Sequence, residues 1–191
     1  MAKDNVGKGF IRDLQAGGVT FAGRQADTGP ATARSMILVT PDTIRSMNTY
    51  LGTSLYLNAS HLPEQTSAEI IYLEGYLFDA PEGPSIFARA AEMAKQSEAQ
   101  LALSLSDAWC VDRHHDALSV FVRDHVSILF SNEAEMASLG KADVHSSAEM
   151  ISCWVDELIV TKGENGASIF AGEEQVSVCL LYTSPSPRDL S

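Results

Sequence analysis

From Ile70 onward the chain repeats one pattern: a short apolar run, a polar junction, then a stretch with helical spacing. Ile70–Leu73, Leu101–Leu105, Val126–Phe130 and Leu158–Val160 are too short for helices and too continuously apolar for surface strands. They read as strands covered by other elements. Between them, Pro84–Ala99 sets Ile86, Phe87, Ala90, Ala91 and Ala94 on one side of a helix. Further helices are predicted around Asp116–Arg123 and over Ser147–Val155, the latter with Ser146 or Ser147 as N-cap. Ala167–Phe170 and Val176–Val178 close the series as strands. A parallel strand pair needs a crossover long enough to hold a helix, so this alternation specifies an α/β fold with a mostly parallel sheet and helices on both faces.

The first part has another texture. Val6, Phe10, Ile11 and Leu14 fall at helical spacing, Gly17-Gly18 supplies a helix end, and Val19–Phe21 reads as a short strand. After a polar stretch from Gly23 to Pro30, two strand-like runs, Thr32–Thr40 and Ile44–Leu51, flank the turn signal Pro41-Asp42. This predicts an antiparallel hairpin, a small β element inserted ahead of the α/β series. The organisation is thus core over 1–22, β element over 23–58 and core again over 59–178. Residues 179–191 change character abruptly: Pro185 and Pro187 stand among serines and a threonine, where no ladder or helix continues. This stretch resembles the translation of a sequencing adapter and is set apart from the fold.

Charge excludes some functions. The 191 residues carry a formal net charge of -12, and the 13 Lys and Arg are scattered, so no nucleic-acid backbone is expected as partner. A nucleotide is not excluded, because backbone N–H groups and one or two cations hold a phosphate. No apolar run has the length of a bilayer span, and Met1-Ala2-Lys3-Asp4 does not open a secretory signal. The expected compartment is the cytoplasm, without a membrane partner. Three dispersed cysteines, Cys110, Cys153 and Cys179, make neither a disulfide framework nor a zinc motif.

Ligands of open α/β sheets sit beyond the C-terminal ends of the strands. Four polar clusters occupy such ends. Glu74-Gly75-Tyr76 offers a carboxylate to a hydroxylated ligand, or simply a solvated loop. Ser104–Asp107 is followed by Asp112, His114, His115 and Asp116; adjacent histidines diverge from a helix start, so a metal is not expected, and Asp112 reads as an N-cap. Asn132 and Glu135 form an Asn-x-x-Glu, fit both for a helix cap and for the water shell of Mg²⁺. Thr161-Lys162-Gly163 with Gly166 is a phosphate cradle or, through Asn165-Gly166, a hairpin turn.

The order of these clusters resembles that of the PfkB family of carbohydrate kinases. Asp4-Asn5-Val6-Gly7-Lys8-Gly9-Phe10 is similar to the family's D-x-x-G-x-x-F segment. Thr28–Tyr50 resembles the lid strands of proteobacterial adenosine kinases, and Tyr72–Tyr76, Leu103–Asp107, Ile128–Glu135 and Thr161-Lys162-Gly163 match the same group in order. The resemblance implies a ribokinase-like three-layer α/β/α sandwich with a small β lid over 23–58. It implies ATP-dependent phosphorylation of a nucleoside or sugar hydroxyl, adenosine to AMP foremost, with Mg²⁺ as cofactor. Asn132, Thr161, Lys162, Gly163 and Gly166 fall at ATP-binding positions, Glu135 at an indirect Mg²⁺ position, and Glu74, Tyr76 and Arg45 at substrate positions. Lid strands of some members pair between subunits, so a homodimer is open.

The family's first strand, its Gly-Gly-x-x-x-Asn segment and its Gly-Ala-Gly-Asp signature, with the catalytic base, have no counterpart here. The expectation is a fragment, inactive by itself, whose parent is the kinase. Alternatives are a ribokinase- or fructokinase-type sugar kinase and a non-catalytic nucleotide-binding module. Calorimetry of residues 1–178 with ATP is expected to give weak or no binding; micromolar affinity would favour the binding module.

Overall fold

The computed structural model describes residues 1–42 and 45–179 and divides into two compact units. The adapter-like stretch, apart from the exposed Cys179, lies outside the described residues, as does Ile44. The first unit comprises Met1–Thr66 with Ala80–Arg89, and the second Ser67–Asp79 with Ala90–Ser191.

The first unit opens with helix α1 (Asn5–Ala16), which ends at Gly17 as expected. Its N-cap is Asp4, whose carboxylate accepts from Gly7 N at 2.8 Å, from Thr32 N at 2.9 Å and from Thr32 Oγ1 at 2.8 Å. One carboxylate therefore caps α1 and ties it to the segment that starts the hairpin. Gly7 is buried, and a Cβ there would stand 2.3 Å from the Ala2 carbonyl oxygen. The Asp-x-x-Gly spacing is thus a cap followed by a close backbone approach. The strand expected at Val19–Phe21 does not form: those residues have no ladder partner among the described residues. The hairpin does form, from β1 (Arg34–Val39) and β2 (Arg45–Tyr50), antiparallel with Arg34 opposite Tyr50 and Val39 opposite Arg45. Every residue of both strands is exposed. Two 3₁₀ turns, Gly52–Tyr56 and Ala59–His61, follow.

The second unit holds a six-stranded sheet in sequential order: β3 (Ile70–Glu74), β4 (Gln100–Ser104), β5 (Ile128–Asn132), β6 (Glu157–Thr161), β7 (Ala167–Ala171) and β8 (Glu174–Val178). The first four are parallel and the last three run as antiparallel pairs, β6 with β7 and β7 with β8. Register aligns Leu73, Leu103, Leu129 and Leu158 across the four parallel strands. All four are at most 5% exposed. Truncating any one of them to Ala costs about 2–5 kcal/mol in a core of this kind.

The crossovers carry α2 (Gly83–Ser97), α3 (Ala108–Arg113), α4 (His115–His125), α5 (Glu133–Gly140) and α6 (Val144–Ser152). Helix α3 was not foreseen. It places Asp112 inside a helix, where its carboxylate accepts from the Ser138 hydroxyl, so Asp112 is not a cap. Asp107 caps α3 instead, accepting from Cys110 N at 3.1 Å. Likewise α6 starts earlier than expected, capped by Asp143 rather than Ser146 or Ser147. In α6 the Asp143 carboxylate bonds a free N–H of the first turn better than the serine three residues on, while Asp112 is taken up by α3, a helix too short to show in the apolar spacing. Among the described residues no helix is long and apolar enough to cross a membrane.

The Asp4 hydrogen bonds hold its pKa at about 2, below the ordinary 3.8. A depressed carboxylate stabilises the fold above its unfolded value, and that contribution is lost as pH falls through the folded one. Protection of the Gly7 and Thr32 amides, the ratio of intrinsic to observed exchange rate, is therefore expected to fall between about pH 4 and pH 2, and NMR-detected exchange on Asp4→Ala should show low protection at all pH values.

Candidate active site

The second unit brings most of the polar clusters to the C-terminal end of its parallel strands. Glu74 ends β3, Asn132 ends β5 and Thr161 ends β6, with Asn132 and Thr161 as direct register partners. Strand β5 turns into α5 through a reciprocal cap. Asn132 Oδ1 accepts from Glu135 N at 2.9 Å, while Glu135 Oε2 accepts from Asn132 N at 2.9 Å and Oε1 accepts from Asn132 Nδ2 at 2.7 Å. This is a capping box with an Asn in place of Ser or Thr. It satisfies helix donors and also fixes a carboxylate at the strand mouth.

Glu135 is buried, and that burial, with the nearby carboxylates of Asp107 and Glu74, pushes its pKa above the ordinary 4.5 despite the bond from Asn132 N. Each of its oxygens accepts one hydrogen bond from Asn132. Asn132 and Glu135 line a cavity of about 240 Å³ together with Ser106, Asp107, Ala108, Trp109 and Ala134. Trp109 is 76% exposed and forms an apolar rim.

Glu74 is held on both sides. Tyr72 donates its hydroxyl to Oε1 at 2.7 Å, and Ser106 donates to Oε2 at 2.7 Å. Ser106 also accepts from Gly75 N at 2.9 Å and sits at φ 69°, a left-handed conformation costly for a non-glycine residue. Gly75 permits the approach: a Cβ there would lie 2.4 Å from the Leu105 carbonyl oxygen. Tyr76 is exposed in the 3₁₀ turn Gly75–Asp79, and partial desolvation, with the fields of Asp107 and Glu135, raises its phenol pKa. Ser106 and Asp107 escaped assignment in the sequence, although both lie in the quoted Ser104–Asp107 cluster. The one available signal was Asp107 three residues before Cys110, the spacing of an N-cap.

The loop after β6 is a hairpin connection. Lys162 N donates to Gly166 O at 2.7 Å, a 3₁₀ turn spans Gly163–Asn165, and β7 returns antiparallel. The turn is longer than a two-residue Asn-Gly link. Gly163 and Gly166 both have positive φ, and a Cβ on Gly166 would stand 1.9 Å from Val178 O. Thr161 donates its hydroxyl to Ser131 O at 3.3 Å. Arg45 belongs to the first unit, exposed at the start of β2.

The histidines behave as expected. His114 bonds Asp79 at 2.8 Å, while His115 turns to the Leu139 carbonyl oxygen at 3.0 Å. Ligand atoms of Asp79, Cys110 and His114 do lie within 4.8 Å of one another. However, Arg113 pairs with the Asp79 carboxylate, and burial pushes the Cys110 thiol up to about 11. The guanidinium competes with any cation for the Asp79 carboxylate.

Comparison with known proteins agrees with this geometry. The family profile for pfkB family carbohydrate kinase matches residues 2–180. The adenosine kinase from Sinorhizobium meliloti superposes with a TM-score of 0.91 at 33% identity, over 97% of this chain and 58% of that one. A probable sugar kinase from Rhizobium etli CFN 42 superposes with a TM-score of 0.89 at 35% identity, over 94% of this chain and 56% of that one. Guanosine-inosine kinase of Escherichia coli (strain K12) is 30% identical over 116 residues, 58% of this chain and 27% of that protein. The chain thus spans little more than half the length of the similar solved structures.

Glu135 predicts a pH effect. Its folded pKa is raised, so ionising it in place costs stability as pH rises from about 4.5 through the folded value. Thermal melts of wild type and Glu135→Gln across that range are expected to diverge, the variant lacking this part of the slope.

Proposed function

The chain belongs to the pfkB family of carbohydrate kinases, and we propose that the protein carrying it phosphorylates a hydroxyl of a nucleoside or sugar at the expense of ATP, with adenosine as the preferred acceptor. The observation that carries this reading is the Asn132–Glu135 box at the mouth of β5, register-paired to Thr161 and facing Asp107 across a small cavity. Phosphoryl transfer asks a protein mainly for positioning and charge stabilisation. Lys162, with the hairpin backbone from Gly163 to Gly166, supplies a cation and N–H donors for phosphate oxygens at one side of that mouth. Glu74, immobilised by Tyr72 and Ser106, supplies an acceptor for ligand hydroxyls at the other.

The acidic group of Glu74, Asp107 and Glu135 suits a hydrated divalent cation, since Mg²⁺ keeps several waters and takes few carboxylates. Mg²⁺ held there would screen the phosphate charge. The chain has no Gly-Ala-Gly-Asp segment, so the group that takes the acceptor's proton is assigned to parts of the fold that the longer relatives carry. Arg45, exposed on β2, is assigned to acceptor binding by the family resemblance of its hairpin; cytoplasmic location and dimerisation through the hairpin belong to the same reading.

A sugar kinase is the second reading, favoured by the 35% identity to the Rhizobium etli protein. A non-catalytic nucleotide-binding module is the third. An ATP-consumption assay of the whole protein with adenosine, guanosine, inosine, ribose and fructose separates them. Adenosine is expected to give the highest kcat/KM, and Asn132→Ala to lower it by about 10²–10³-fold, the range of a lost transition-state donor. Turnover of free sugars alone would reverse the order of the first two readings. ATP binding without any turnover would leave the third.

A further inference from the structure

The turn that follows Glu74 is held by one short helix. Gly75–Asp79 forms a single 3₁₀ turn, with Phe78 buried and Tyr76 exposed. Helix α3 has only six residues, and a helix of that length draws its stability from what it packs against. Cys110, Arg113 and His114 stand at i, i+3 and i+4, on one side of the helical path. All three reach the turn. Cys110 donates its thiol to the Gly75 carbonyl oxygen at 3.4 Å. Arg113 grips Asp79 with both prongs of its fork, Nε to Oδ1 at 3.2 Å and Nη2 to Oδ2 at 2.5 Å. His114 Nε2 meets Oδ1 at 2.8 Å, and its ring centroid lies 5.5 Å from that of Phe78.

The other end of α3 serves the cavity. Asp107 caps the helix, Ser106 accepts from Gly75 N at 2.9 Å, and both residues line the cavity with Trp109, Asn132 and Glu135. The turn is thus fixed at its first residue through both backbone groups of Gly75, and at its last through the Asp79 carboxylate. Tyr76 lies between these anchors and Glu74 directly before them. Stability does not account for the arrangement. The Arg113 and Asp79 side chains are 52% and 36% exposed, and an ion pair so open to water adds little to a fold. What a bidentate guanidinium–carboxylate pair does supply is a fixed orientation.

We propose that Asp79, Arg113 and His114 are positioning residues for the acceptor: they clamp the turn to α3 and so set Glu74 and Tyr76 in a fixed relation to Asp107 and the cavity. On the kinase reading, on which this rests, the acceptor binds beside Glu74 and Tyr76, and ATP at the loop of residues 161–166. Loosening the clamp therefore disturbs one half of the site and spares the other. Its signature is a rise in KM for the acceptor with KM for ATP unchanged. A merely structural role would lower the active fraction, reducing kcat with both KM values intact.

The test measures kcat, both KM values and Tm of the whole protein carrying this chain, with ATP and whichever of adenosine, guanosine, inosine, ribose and fructose it turns over best. Arg113→Lys keeps the charge and loses the fork; Asp79→Asn loses the charge and keeps the shape. His145→Ala is the control, removing the exposed pair of His145 with Glu149 on α6. Arg113→Lys and Asp79→Asn are each expected to raise the acceptor's KM by about tenfold, the scale of one lost charged hydrogen bond, with KM for ATP and Tm close to wild type. His145→Ala is expected to move none of these. In the 191-residue chain, amide exchange over residues 76–79 should quicken in the same two variants and stay unchanged in α6. An unchanged acceptor KM in both variants, an equal rise for ATP, a loss of kcat that tracks a fall in Tm, or unaltered exchange across the turn would overturn the positioning role and leave the kinase reading standing. No turnover of any acceptor by the wild type would sink the kinase reading itself, and the role of the clamp with it.

Discussion

Four aligned leucines set the geometry of the larger unit. Leu73, Leu103, Leu129 and Leu158 occupy one register across the parallel strands, and burying them together fixes which residues of each strand face the helices. A slip by one residue in any strand would turn its leucine away from the helices and turn Tyr72, Ala102, Ile128 or Glu157 towards them. The same register brings every strand to its end at one rim. Glu74, Asn132 and Thr161 are neighbours there because the leucines below them are aligned.

At that rim the chain uses one set of groups for two purposes. The Asn132–Glu135 box satisfies the first turn of α5 and also fixes a buried carboxylate beside Asp107 and Glu74. Burial of a charge is costly unless it is hydrogen-bonded, and both oxygens of Glu135 are. The strain at Ser106 has a similar logic. Its left-handed backbone directs a hydroxyl at both Glu74 and Gly75, stitching the ends of β3 and β4.

Much of this was legible beforehand. Apolar runs of strand length located β3 to β7 apart from their ends, because burial demands apolar residues whatever the partners are, while the exposed β1 and β2 were legible from strand-like runs flanking the Pro41-Asp42 turn signal. Local hydrogen-bonding chemistry was also legible: Gly17 ends α1 and Asn132 caps α5, as the residue types dictate. Helix α3 was not, since Ala108–Arg113 is too short to show periodicity and is announced only by the Asp107 cap. The strand expected at Val19–Phe21 failed for the converse reason. Local β preference forms no strand without a ladder partner, and none reaches it among the described residues.

By itself the sequence determined the alternation of elements, the caps and turns, and which clusters stand at strand ends, because each depends on residues within a few positions of one another. Only the tertiary structure decided which clusters meet. Asp107 joins Glu135 around one cavity, within the field of Glu74, Asp79 gathers Arg113 and His114, and Phe130 aligns with Ile159, Ile169 and Val176. Those meetings depend on strand order and register, which are set by packing energy summed over the whole sheet and are written at no single position in the chain.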